Sequence, residues 1–89
     1  MTRTAELRHA VLKLHRERPN YTPRSLSALR YDLFMSHSDF AKLCGVSERT
    51  IYRIEAGTPV DGDTIARIAD ATGFDPLTLS EAVKRSVRR

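Results

Sequence analysis

Residues 36–57, SHSDFAKLCGVSERTIYRIEAG, decide the fold of this chain. They read as two short helices with one break at Gly45, because a helix C-terminus favours a residue that tolerates positive φ. Ser36 can cap the first helix, and Asp39 stands three residues on, where a capping box has its acid. Ser47 can cap the second helix, and Gly57 can end it. The stretch therefore predicts a hairpin of two helices.

Small and branched residues stand where two such helices would cross. Ala41 lies four residues before Gly45 and ten before Ile51. A tight crossing needs a small side chain at the contact, a turn residue without Cβ and a branched apolar residue on the second helix. The inward positions of both helices are Phe40, Leu43, Cys44, Ile51, Ile54 and Glu55. Cys44 is expected to be a small buried residue.

This pattern resembles the helix-turn-helix of the Cro and phage-repressor (XRE) family over roughly residues 26–79. The matching residues are Leu29, Arg30, Ser36, Phe40, Ala41, Leu43, Gly45, Val46, Ser47, Thr50, Ile51, Arg53, Ile54, Glu55 and Gly57. The resemblance implies an all-α, lambda-repressor-like domain, here a bundle of about six helices with an extra N-terminal helix. The plainer interpretation is an ordinary helical hairpin.

The resemblance also implies which residues meet DNA. Base reading is expected from Glu48, Arg49 and Arg53, with Tyr52 beside them, and backbone phosphate contacts from Ser36, His37, Ser47 and Thr50. Arginine suits guanine O6 and N7, and glutamate can accept from cytosine N4. Two alternatives stay open, since Glu48 also suits the positive end of a helix dipole and the arginines also suit a solvated face.

Two further positions follow from the resemblance. The family pairs an arginine at the place of Arg30 with a glutamate at the place of Glu55, which implies an ion pair between helices. It usually has glutamine where this chain has His37. A histidine can donate to phosphate, but its charge varies near neutral pH, which predicts weaker DNA binding as pH rises.

The other segments are organised around this unit. Residues 1–20 are expected to be a helical extension and residues 21–89 the helix-turn-helix domain, within one globular unit. Leu7, Ala10, Val11 and Leu14 form a helical stripe, which suits packing on the core, a dimer contact or a DNA-touching arm. His9 and His15 are expected at the surface, because neither has a second metal donor three or four residues on.

Three more helix starts can be predicted from capping residues. Thr22 and Pro23 suit an N-cap and first position, as do Asp75 and Pro76. Asp61 or Asp63 starts the helix between them, which stops at Gly73. The last helix carries the apolar strip Leu79, Val83 and Val87 and the basic residues Lys84, Arg85, Arg88 and Arg89.

Charge and composition limit the function classes. The 89 residues carry a net charge of +4, distributed as +4 over residues 1–35, −3 over 36–75 and +3 over 76–89. If the chain binds DNA, either the basic ends supply the phosphate contacts or a few well-placed arginines do the reading. A single cysteine and no apolar run long enough for a membrane fit the cytoplasm. No phosphate-binding glycine loop, metal-ligand cluster or activated nucleophile is present in the sequence, so no enzyme activity, cofactor or metal is expected.

The sequence therefore predicts a transcriptional regulator that binds double-stranded DNA. The expected form is a repressor homodimer on a palindromic operator. The alternative is an antitoxin that neutralises a toxin protein, with residues 1–20 or 76–89 as the contact.

Overall fold

The described part of the chain folds into six α-helices, so the expected all-α class is confirmed. The computed structural model describes residues 3–87. Its helices are α1 (Arg3–Glu17), α2 (Leu26–Asp32), α3 (His37–Cys44), α4 (Glu48–Glu55), α5 (Gly62–Thr72) and α6 (Pro76–Val87). No strand occurs within these residues.

One apolar core receives side chains from all six helices. Its centre is fully buried and consists of Leu26, Leu29, Phe40, Ile51, Ile54, Ile68 and Leu79. The predicted stripe of α1 joins this core through Leu7, Val11 and Leu14, where α1 packs on α3 and α5. Of the three interpretations of this stripe, the structure therefore supports packing on the core of the same domain.

Caps and glycines fix the two-helix hairpin as predicted. The hydroxyl of Ser36 accepts from the Asp39 N–H at the start of α3, and that of Ser47 accepts from the Thr50 N–H at the start of α4. Gly45 ends α3 with φ of 72°, in the left-handed region that favours glycine. The connection between α3 and α4 is therefore short and fixes how they cross.

The predicted start of α2 is wrong by three residues. The helix begins at Leu26 rather than at Pro23, and its N-cap is Ser25, whose hydroxyl accepts from the Ala28 N–H at 3.1 Å. Thr22 and Ser25 are both suitable caps. The later start lets Leu26 and Leu29 reach the core while Pro23 is buried ahead of the helix.

The loop between α2 and α3 contains an aromatic residue in an unusual conformation. Phe34 has φ of 58°, and 95% of its surface is exposed. A non-glycine residue with positive φ is strained, because its Cβ approaches the backbone. The neighbouring Leu33 and Met35 are buried, and they anchor the loop on either side.

His15 was expected at the surface, but it is partly buried. Its Nε2 is 2.7 Å from the Thr72 carbonyl oxygen, and its ring lies against Phe74 with the centroids 4.9 Å apart. The contact joins the last turn of α1 to the end of α5. Gly73 follows with φ of 77°, and a Cβ there would lie 3.0 Å from the His15 ring. The two termini of these helices are therefore tightly packed.

The last helix starts as predicted, with Pro76 first and Asp75 hydrogen-bonded to Thr78. Leu79 and Val83 of its apolar strip are buried in the core. The side chain of Val87, and Arg88 and Arg89, lie outside the described residues.

Candidate nucleic-acid interface

The helix α4 buries one side and exposes the other. Ile51 and Ile54 lie in the core, with 0% and 2% of their surfaces exposed. The residues expected to read bases are all exposed on the remaining side: Glu48, Arg49, Tyr52 and Arg53. Arg49 and Arg53 are four residues apart and therefore stack one turn above the other. The structure thus brings the four predicted residues onto one solvent-facing surface.

The residues expected to contact phosphate lie at the starts of α3 and α4. Ser36 is exposed at the first of these, and Ser47 at the second. The hydroxyls of Ser47 and Thr50 share a hydrogen bond of 2.8 Å. Since that bond uses one of the two O–H groups, the other can donate to a phosphate oxygen.

An ion pair joins α2 to the end of α4. Arg30 donates from Nε to Glu55 Oε2 at 2.7 Å and from Nη2 to Oε1 at 3.1 Å, while its Nη1 donates to the Met35 carbonyl at 3.1 Å. The two side chains are only 7% and 11% exposed. A bidentate pair of this kind fixes orientation as well as distance. It therefore holds the end of α4 against the body of the domain.

Glu55 is ionised despite its burial. Burial alone would raise the pKa of its carboxyl, but hydrogen bonds from Arg30 and Ser27 and the charge of Arg30 outweigh that effect and lower it. The carboxylate is thus a fixed negative charge at neutral pH, and residues of α2 and α3 contact it.

His37 has two contacts that the sequence did not predict. Its Nε2 is 3.1 Å from Glu55 Oε1, and its ring stacks on Tyr52 with centroids 4.0 Å apart and 11° between the planes. The ring of His37 therefore covers one face of the Tyr52 ring, although half of the surface of Tyr52 stays exposed. No local pattern signals such a contact, since its members belong to different helices.

Arginines from the first third of the chain neutralise acids of the central segment. Arg3 donates to both carboxylate oxygens of Asp39, and Arg30 pairs with Glu55. The hydrogen bond from Arg3 lowers the pKa of Asp39, so this acid also stays charged and paired. Two of the central carboxylates are thereby screened from an approaching polyanion.

The described residues hold no evident metal site or membrane span. No three of the histidines, cysteines and acids in residues 3–87 are grouped to bind a metal ion. None of the helices in the same range has the length and apolar character to cross a bilayer. Cys44 is buried as expected, and this burial raises the pKa of its thiol to about 12.

Comparison with known proteins gave one match. A family model described as a helix-turn-helix domain matches residues 10–82, which extends into α1 and beyond the stretch that carries the resemblance. Searches of curated proteins and of solved structures returned no match. The matched region holds α3, α4 and every predicted site residue. The chain belongs to the helix-turn-helix family of DNA-binding domains.

Proposed function

We propose that this protein is a sequence-specific transcriptional regulator, acting as a repressor homodimer on a palindromic operator. The observation that carries the proposal is the exposed side of α4, where Arg49 and Arg53 lie one turn apart. The opposite side of the helix is anchored in the core by Ile51 and Ile54. In helix-turn-helix proteins the second helix enters the major groove and the first crosses the backbone. The proposed activity is the binding of DNA in the cytoplasm, without catalysis.

The proposed site divides into reading and positioning contacts. Glu48, Arg49 and Arg53 would meet base edges, where a good bidentate pair discriminates by about 1–3 kcal/mol. Tyr52 would stand beside them. Ser36, His37, Ser47 and Thr50 would meet phosphates and fix the register without reading sequence.

A homodimer would double the reading surface. Two recognition helices about 34 Å apart match successive turns of the major groove, so the operator would be palindromic. Leu77 is a candidate for the subunit contact, since 67% of its surface is exposed at the start of α6.

Selection from a pool of random duplexes tests this function. The proposal predicts enrichment of a palindrome with half-sites one helical turn apart, and sedimentation of the protein–DNA complex as two chains per duplex. Sequence-independent retention of the pool, with no enriched motif, would contradict sequence-specific binding.

A second candidate function is that of an antitoxin. It is favoured by a groove of about 610 Å³ between α1, α3 and α5, which is lined by Leu12, Arg8, Lys42 and Arg67 among others. Leu12 is 61% exposed there. The groove carries the basic residues Arg8, Lys42 and Arg67 against the one acid Asp70, and this charge balance suits an acidic protein partner.

Co-purification with the product of a neighbouring gene tests this second function. A toxin complex that Leu12→Asp disrupts, while selected DNA is still bound, would support it. A protein that purifies alone after co-expression with its neighbours would count against it.

A further inference from the structure

The ring of His37 is held from two sides by the recognition helix. His37 is the first residue of α3, and both groups that hold it, Glu55 and Tyr52, belong to α4. Its Nε2 lies 3.1 Å from Glu55 Oε1, and the centroid of its ring lies 4.0 Å from that of the Tyr52 ring. The side chain is 24% exposed, so the ring retains contact with solvent.

The Glu55 contact fixes which ring nitrogen carries a proton. An ionised carboxylate only accepts hydrogen bonds, so His37 Nε2 must be the N–H donor. In a neutral imidazole the other nitrogen, Nδ1, is then an acceptor with a lone pair. A phosphate oxygen is also an acceptor. The neutral ring, held as it is, therefore has no donor to offer to DNA.

We propose that His37 contacts a DNA phosphate as an imidazolium, so that DNA binding takes up one proton from solvent at Nδ1. The protonated ring keeps Nε2–H on Glu55 and donates Nδ1–H to the phosphate oxygen. The inference rests on the proposed function, because it takes the start of α3 to lie at the DNA backbone, where the first helix of this motif crosses.

The groups around the ring act on its charge in opposite directions. Glu55 of α4 favours the imidazolium, and so does the face of Tyr52, which attracts cations. Arg30 of α2, paired with the same carboxylate, opposes it, and so does the positive end of the α3 dipole. A phosphate adds a further negative charge beside the ring. Binding of DNA therefore shifts the balance towards the protonated form.

The test compares the wild type with His37→Gln on one selected duplex between about pH 6 and pH 8, where an imidazole changes its charge. Wild-type affinity should fall as pH rises, by at most about tenfold per pH unit, the limit for one linked proton. His37→Gln should show a flat profile, because an amide donates without titrating. His9→Gln removes an exposed histidine of α1 and should keep the wild-type slope.

Calorimetry of the wild type gives an independent measurement. Heats of binding in buffers of different ionisation enthalpy should reveal proton uptake for the wild type and for His9→Gln, and the uptake should disappear in His37→Gln. Nitrogen NMR of the wild-type complex should show both ring nitrogens of His37 protonated, which requires no variant.

The possible results distinguish a failure of this inference from a failure of the proposed DNA-binding function. If the wild type binds its selected duplex without proton uptake, or with His37 Nδ1 unprotonated, the inference is wrong and the proposed function stands. If the protein binds no duplex specifically at any pH, the proposed function itself fails.

Discussion

Arg30 and Glu55 are joined by two hydrogen bonds of 2.7 and 3.1 Å, which tie α2 to the C-terminal end of α4. Both side chains are almost fully buried, so neither can be solvated when the other is lost. Glu55 also receives His37, which links the start of α3 to the same carboxylate. The pair therefore fixes the position of α4 relative to α2 and α3.

Glu55→Ala should lower the free energy of unfolding by ~3–5 kcal/mol, because it leaves the Arg30 charge buried without its partner. Glu48→Ala, on the exposed side of the same helix, should cost no more than about 1 kcal/mol. Replacing both members together, by Arg30→Met and Glu55→Leu, should recover much of the loss. An unchanged melting temperature for Glu55→Ala would contradict this assignment.

Acid should remove the contribution of Glu55. The pKa of Glu55 is lower in the folded protein than its ordinary value of 4.5, so its stabilisation is complete above about pH 4.5 and is lost as pH falls through the folded pKa. The difference in unfolding free energy between wild type and Glu55→Gln should therefore shrink below that pH. Asp39 and Asp61 also have lowered pKa values, but they titrate equally in both proteins and cancel from the difference. A difference that stays constant from neutral pH into acid would refute the prediction.

Local signals predicted most of the helix ends. Ser36, Ser47 and Asp61 cap their helices, and Gly45 and Gly73 end theirs, because each depends only on neighbouring backbone groups. The start of α2 could not be predicted in this way. Thr22 and Ser25 offer the same local chemistry, and burial in the core decided between them.

Contacts between helices were beyond the local pattern. Arg30 and Glu55 were matched through the family resemblance and not through their spacing. The stack of His37 on Tyr52, and the contact of His15 with Thr72, depend on how helices distant in sequence meet. Phe34 gave no signal either, because an aromatic residue in a short loop does not indicate positive φ.

The glycines of α5 provide a matched pair of substitutions. Gly73→Ala should destabilise the protein by at least about 1 kcal/mol, since alanine would be strained at φ of 77° and its Cβ would press on His15. Gly62→Ala, at the other end of α5, meets nothing within 4 Å and should be neutral or stabilising by up to ~1 kcal/mol. Chemical denaturation measures both. Equal effects would show that neither the backbone conformation nor the His15 contact matters.

At the position of Phe34, glycine should be more stable than alanine. Because the side chain is 95% exposed, removing it loses little burial, whereas glycine relieves the strain of positive φ. We expect Phe34→Gly to be more stable than Phe34→Ala by ~1 kcal/mol, since alanine keeps the Cβ that causes the strain. The comparison is made by denaturant titration. An alanine variant as stable as the glycine variant would mean that no strain is stored there.

Base reading by α4 is tested most directly by the affinity of wild type, Arg49→Ala and Arg53→Ala for a selected duplex and for a scrambled duplex of the same length and composition. We expect each substitution to weaken binding to the selected duplex by ~1–3 kcal/mol, to relax preference at one base position and to change binding to the scrambled duplex little. Equal losses on both duplexes would contradict it, because the exposed arginines of α4 would then touch only phosphates.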